Sequence, residues 1–374
     1  MIALPALLAL LLSAPAFALN ASILHGIVTA PGAPPYAIAN LSSAIAAALG
    51  SIFNASSGAP DKGAVILKNS TSFYDYLVIS GTYHADATIA LTPGLALVLE
   101  DATLAATTPS LTGGGALILA QRAPWSAVLG RGGARLACAP SGGASAPYAL
   151  HAAQSPGFVL DGVAISDCDS VHLEGVPFVT GGEVANCVIT NSRGRAIWTE
   201  KISRAVIHGN TVTNASAHTI DFDAFSSNSV AYNNTVSQSR QEAVFIEQGA
   251  TYITVVDNDL GPGNANGVGV YNNAIGAETA GHVIVRNRVF GNSRGVSVGS
   301  TAPHAGALAA SVLVAGNALW DNGGQGLHTN GGQVGTMYVA NDDADGASLY
   351  TLAAGSAANI SFADPQDRVK VANQ

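Results

Sequence analysis

Asn186, Asn210, Asn234 and Asn258 follow one another at intervals of 24 residues, and Asn287 and Asn317 continue the series at 29 and 30. An apolar residue stands two positions after each: Val188, Val212, Val236, Leu260, Val289 and Leu319. About ten positions after each comes a triplet with apolar ends, as in Ile220-Asp221-Phe222, Val244-Phe245-Ile246, Val268-Gly269-Val270 and Val296-Ser297-Val298. Alternation of this kind marks strands with one face buried. A short period with β-branched stretches and Gly/Asn corners fits a parallel β-helix better than helical solenoids, whose repeats are longer and Leu/Ala-periodic. The expectation is an all-β, single-stranded right-handed parallel β-helix in which each repeat is one coil. At identical corners an Asn amide can bond the Asn above and below and tolerates turn geometry, so the Asn series is assigned a structural role.

Composition bounds the partners. The 374-residue chain is 48% hydrophobic and only 10% charged, with 15 Lys and Arg against 24 Asp and Glu, a formal net charge of -9. With no basic run, nucleic acid is not an expected partner, and a strongly polyanionic substrate is disfavoured. Residues 1–18 combine an apolar stretch with a terminal Ala-Phe-Ala, the pattern of a signal peptide, so the reading is a secreted protein with a mature start near Leu19. Pro5 and Pro15 break that stretch, and no later segment is long enough to span a bilayer, so no membrane association is expected. Glycosylation sequons begin at Asn20, Asn40, Asn54, Asn69, Asn214, Asn233 and Asn359. Cys138, Cys168 and Cys187 allow one disulfide and leave one thiol; without a CxxC spacing they read as small buried hydrophobes rather than a redox centre.

The run VIHGNTVTNASAHTIDFDAF, with its successors VAYNNTVSQSRQEAVFIEQG and VIVRNRVFGNSRGVSVGS, resembles the parallel β-helix repeat of the pectin-lyase-like superfamily. The likeness covers regular repeats at residues 156–334. Upstream, residues 36–155 are similar to the N-terminal cap and first coils of such proteins, with a capping helix expected at LSSAIAAALGSIF, and residues 335–374 are assigned to a C-terminal cap. Residues 19–374 are therefore read as one domain and a monomer. The superfamily includes lyases, hydrolases, epimerases and non-catalytic adhesins, so the resemblance implies a fold and a glycan partner but no single chemistry. The polygalacturonase motifs Asn-Thr-Asp, Asp-Asp, Gly-His-Gly and Arg-Ile-Lys are absent as a set, which disfavours that family.

Equivalent strand positions in successive coils stack at about 4.8 Å, so the sequence can be read as vertical columns. One outward column is Glu200, Asp223, Glu247, Tyr271, Gly299, Asn330; the other is Trp198, Asp221, Phe245, Gly269, Ser297, His328. Like charges stacked in one ladder are destabilising, so a bound cation, a retained proton or a nearby base among His218, Arg240, Lys201 and Arg195 has to offset them. Asp221, Asp223, Glu242, Glu247, His218 and Arg240 are the expected catalytic residues. Trp198, Phe245 and Tyr271 are expected as outward rings for stacking on sugars. Carboxyl groups about 5 Å apart suit a retaining glycosidase, and about 6.5–9.5 Å an inverting one. Ca²⁺ on Glu200, Asp223 and Glu247 would instead suit a lyase or uronate epimerase, and a non-catalytic glycan-binding β-helix is the alternative from another class; the preferred reading, cleavage of an extracellular polysaccharide by carboxylate acid/base chemistry, needs no cofactor. Glu200 belongs to its column least securely, because Ile197 lies eleven rather than ten residues after its Asn. His208 reads as a core or corner residue, and no zinc site is expected at His172, His304 or His328.

Overall fold

The computed structural model describes residues 65–68, 75–85, 88–106, 115–138, 146–272, 278–299 and 308–329, and short strands from there to Phe362. The leader, the expected capping helix, the sequons at Asn20, Asn40, Asn54, Asn69 and Asn359, and residues His304 and Asn330 lie outside the described residues. Within the described residues every regular element is a strand, and none is a helix long and apolar enough to cross a membrane.

Strands pair in parallel with the strand one coil earlier and one coil later. On one face the series runs Tyr148–Ala153, the start of Val171–Ala185, the start of Ile197–His208, Ile220–Asp223, Glu242–Ile246, Asn266–Tyr271, Arg294–Gly299 and Gln325–Thr329. Two further series complete each coil, for example Val206–Val230–Thr254–Val283–Leu313 and Val188–Thr211–Thr235–Asp259–Arg288. At the N-terminal side, Val65–Lys68 pairs antiparallel with Asp75–Ala85. The core consists of the inward columns: Ile197, Ile220, Val244, Val268, Val296 and Leu327 are all buried, as are Ile189, Val212, Val236, Leu260, Val289 and Leu319. No coil could bury this surface alone, and stacking supplies the missing partner.

The Asn column is a continuous hydrogen-bonded ladder. In Asn210, Asn234 and Asn258 the backbone N–H and the side-chain Nδ2 both donate to Oδ1 of the next Asn, at 2.9–3.1 Å, and Nδ2 also donates to a carbonyl of the preceding coil. Asn287 and Asn317 extend it to Asn341. The first member requires a correction. Val188 pairs with Thr211, so Cys187, not Asn186, occupies the ladder position, and its N–H donates to Asn210 Oδ1 at 3.0 Å. Val188 is accordingly exposed, and Ile189 is the buried partner of Val212. Asn186 belongs to the preceding corner, where Gly209, Asn233, Asp257, Arg286 and Gly316 share its positive φ. That left-handed conformation favours Gly, Asn and Asp. A Cβ on Gly209 would stand 2.5 Å from Asn186 Oδ1, which would have to shift to admit it.

Counted from Cys187, Ile197 is the tenth residue, and Glu200 pairs directly with Asp223. Its column membership is secure. A second ladder, absent from the sequence reading, links Ser239, Asn264, Asn292 and Asn322. Pairing also runs past residue 334: Asn341 joins the first ladder, and Tyr350–Leu352 and Ile360–Phe362 pair in parallel with preceding strands, so part of the segment assigned to a cap is still coil. Cys138 and Cys168 form the disulfide, and Cys187 is the buried thiol, its pKa pushed up to about 12 by burial.

Candidate active site

The register stacks the Trp198 column as read, and of the other column it pairs Glu200 with Asp223 and Tyr271 with Gly299. Trp198 pairs with Asp221, Asp221 with Phe245, Phe245 with Gly269, Gly269 with Ser297, and Ser297 with His328. Because Ile220 and Phe222 fill the core, Asp221 and Asp223 must project from the outer surface of the sheet. They are nonetheless buried: Asp221 is 0% exposed, Asp223 4% and Glu247 4%, so this is not a solvated acidic face.

Arg195 organises the cluster. Its Nε donates to Asp221 Oδ2, and its Nη2 lies 3.8 Å from both Asp223 Oδ2 and Glu247 Oε1. Asp223 also accepts from the Ala224 N–H at 2.6 Å and from Trp198 Nε1 at 3.2 Å. Oδ1 of Asp221 is buried and accepts no hydrogen bond. Burial, countered by Arg195 and reinforced by Glu247 and Asp223, raises the Asp221 pKa well above the ordinary carboxyl value. Burial raises Asp223 as well, again against the pull of Arg195. Burial opposes the charge on Arg195, but Asp221 and the other two carboxylates outweigh it and hold the guanidinium protonated. The like-charge stack is thus offset by one guanidinium and by carboxyls biased toward retaining a proton.

On the rim, His218 Nδ1 stands 2.7 Å from Glu242 Oε2, and its ring stacks on Phe245 at 4.1 Å. Burial works against the charge of Glu242, yet His218 and Asn266, whose Nδ2 donates to Oε1 at 2.6 Å, hold its pKa below the ordinary value. Tyr271 donates to Ser297, which lies 3.1 Å from His328 Nδ1. His218, Asp221 and Glu247 present donor atoms all within 4.8 Å of one another.

Several expectations need correcting. Phe245 and Tyr271 are buried, because their rings fill the space between stacked neighbours, and they present no open face. Trp198 is partly exposed, but His172 stacks on it at 3.9 Å and the Arg195 guanidinium stands 4.5 Å from its centroid. Arg240 is exposed and forms no ion pair among the described residues. Glu200, Asp223 and Glu247 are not gathered into one donor set: Glu200 turns to Lys201 and to His172, while Arg195 stands between the other two. His172 has acidic neighbours after all, Glu200 at 3.7 Å and, through the stacked His151, Glu174. His208 is a half-buried residue at the strand end before the Gly209 corner, where it pairs with Glu183 at 2.8 Å and stacks on Tyr232 in a different strand series. Arg195 was one of four cations named from sequence; only the register singles it out.

Comparison with known proteins follows the same lines. Residues 148–307 match the family model described as the right-handed β-helix region. Among solved structures, the chain is similar to the periplasmic alginate epimerase AlgG, at 12% identity and TM-score 0.58, covering 91% of this chain and 89% of that one. It is similar to the polygalacturonase from Erwinia carotovora ssp. carotovora, at 13% identity and TM-score 0.56, covering 76% and 87% respectively. The endo-xylogalacturonan hydrolase from Aspergillus tubingensis is similar at 11% identity and TM-score 0.58, covering 80% and 91%. No curated protein sequence matches.

Proposed function

We propose that this chain, a right-handed parallel β-helix, is a secreted enzyme that hydrolyses an extracellular polysaccharide by carboxylate acid/base chemistry. The observation that carries the reading is the cluster held by Arg195, in which carboxyls driven toward the protonated form share one guanidinium with a further carboxylate. Glycoside hydrolysis needs one carboxyl that donates a proton and another that accepts one. Asp223, raised by burial, gives its proton to the glycosidic oxygen as the C–O bond breaks. Glu247 takes the proton of the water that attacks the anomeric carbon. Asp221, fully buried, is a positioning residue that acts through Arg195. His218 and Glu242 line the rim as a second acid/base pair.

The second reading is a Ca²⁺-assisted lyase or uronate epimerase, favoured by the likeness to a protein described as an alginate epimerase. Against it, the Arg195 guanidinium already stands where a cation would have to lie among Asp221, Asp223 and Glu247. A glycan-binding module without turnover is the reading from a different class.

Incubation with a panel of polysaccharides, with and without a calcium-selective chelator, separates them. New reducing ends without unsaturated sugars, insensitive to chelation, are expected. Ultraviolet absorbance of an unsaturated uronate, or a change in uronate stereochemistry, either one abolished by the chelator, would overturn hydrolysis. Tight glycan binding without turnover, unchanged in Asp223→Asn, would identify a binding module.

A further inference from the structure

On the three coils that precede Asp221 and Asp223, the register brings two histidines and two glutamates together. His151 pairs with His172, His172 with Trp198, and Glu174 with Glu200. His residues of two coils thus form one column, and Glu residues of two coils form the column two positions further along the same outer surface. The imidazoles of His151 and His172 are stacked with their centroids 4.7 Å apart and their planes nearly parallel. His151 Nε2 lies 2.8 Å from Glu174 Oε2, and His172 Nε2 lies 3.7 Å from Glu200 Oε2, while Lys201 holds the other oxygen of Glu200. Donor atoms of His151, His172 and Glu174 all fall within 4.8 Å of one another.

His172 is the telling member. Its side chain is 5% exposed, yet neither ring nitrogen has a hydrogen-bond partner. A buried imidazole without partners is costly, and native structures rarely leave one without a reason. An imidazole nitrogen without a hydrogen-bond partner has a lone pair open to a metal ion.

We propose that His151, His172 and Glu174, closed by Glu200, bind one divalent transition-metal ion of the Zn²⁺ type. Two imidazoles with carboxylate oxygens suit such an ion, whereas Ca²⁺ and Mg²⁺ prefer all-oxygen shells. With metal–ligand bonds of about 2.0–2.1 Å, donor atoms in a tetrahedral shell stand roughly 3.4 Å apart. The 2.8 Å and 3.7 Å separations bracket that value, so small side-chain rotations close the shell. The ion clips three successive coils together beneath Trp198. The site does not depend on the reading of the acid cluster, because it shares no ligand with Asp221, Asp223 or Glu247.

Calorimetric titration of the untagged, metal-stripped full chain with Zn²⁺ at neutral pH tests this. One equivalent binding at micromolar or tighter Kd is expected. His172→Phe keeps a ring in the stack but removes both nitrogens, and Glu174→Gln keeps the shape of a partly exposed side chain. Each should weaken binding by at least about a hundredfold, since even outer-shell changes cost up to that much. Asp223→Asn should leave it unchanged. Absence of stoichiometric binding, binding retained in both His172→Phe and Glu174→Gln, or loss confined to Asp223→Asn would each overturn the proposal.

Discussion

Three carboxyl groups within reach of one guanidinium cannot all ionise without leaving charge uncompensated in a buried setting, so protonation state is the property that residue substitutions should expose. Asp223→Asn and Glu247→Gln keep the shape of the column but cannot exchange a proton. Each should lower turnover of a cleaved polysaccharide by at least about a hundredfold while the circular dichroism spectrum stays unchanged. That these acids share a ladder was legible from spacing alone. That they are buried was not, because burial depends on how neighbouring long side chains and rings cover them, which no column records. His282 was missed altogether. It is fully buried at a corner where Ile253 N–H donates to its Nδ1, the place where Ser229 accepts from Ala205 N–H one coil pair earlier. Burial lowers its pKa from 6.5 to about 3. A group depressed on folding contributes stability that is present above its unfolded pKa and is lost as pH falls toward the folded value. Between pH 6.5 and 3, His282 should therefore cost about 1.4 kcal/mol of stability per pH unit. Denaturant unfolding across that window should show a shallower pH slope in His282→Ser, whose hydroxyl can take over the acceptor role. An unchanged slope would mean that His282 is not the group responsible.

Each ladder Asn is an element in its own right, since its amide closes one corner and accepts from the corner before. In Asn234→Ala, the backbone N–H and Nδ2 of Asn210 lose their shared acceptor, the Ile207 carbonyl loses a donor, and Asn258 Oδ1 loses one of two. Buried groups left without partners cost about 1–3 kcal/mol each, so the variant should lose about 3 kcal/mol or more in denaturant unfolding. Thr235→Ser, at the exposed neighbouring position, should stay within about 0.5 kcal/mol. The ladder was readable because buried Asn recurs there with little competition. Its start was misplaced because Cys187 interrupts the series while Asn186, a corner residue with positive φ, happens to keep the 24-residue interval. The second ladder escaped notice because Asn264, Asn292 and Asn322 are only three, at intervals of 28 and 30. Upstream coils carry no Asn mark at all, so the placement of His151 and Glu174 beside His172 could come only from the pairing of strands.

At the scale of the whole chain, charge sets which polymer can approach the acid cluster. The formal net charge is -9, and the cluster itself holds Asp221, Asp223 and Glu247 against Arg195 alone. A uronate polymer would therefore meet a repulsive field over many sugar units, whereas a neutral glycan would not. Repulsion of that kind is long-ranged and is screened by salt, while the close contacts around Arg195 are shielded from solvent and are not. Raising salt from about 20 to 200 mM shortens the Debye length from roughly 20 to 7 Å, which spans the distance over which a polysaccharide feels the surface. For a neutral or weakly charged substrate, KM should change less than about twofold over that range, and kcat should not change, because the reacting carboxyls sit inside the screening length at both ends. Steady-state kinetics on the polysaccharide identified by the panel measures both quantities. A KM that falls steeply as salt rises would mean that the polymer is a polyanion held off by the chain's own charge. The preference for a neutral glycan would then be wrong even if hydrolysis were right.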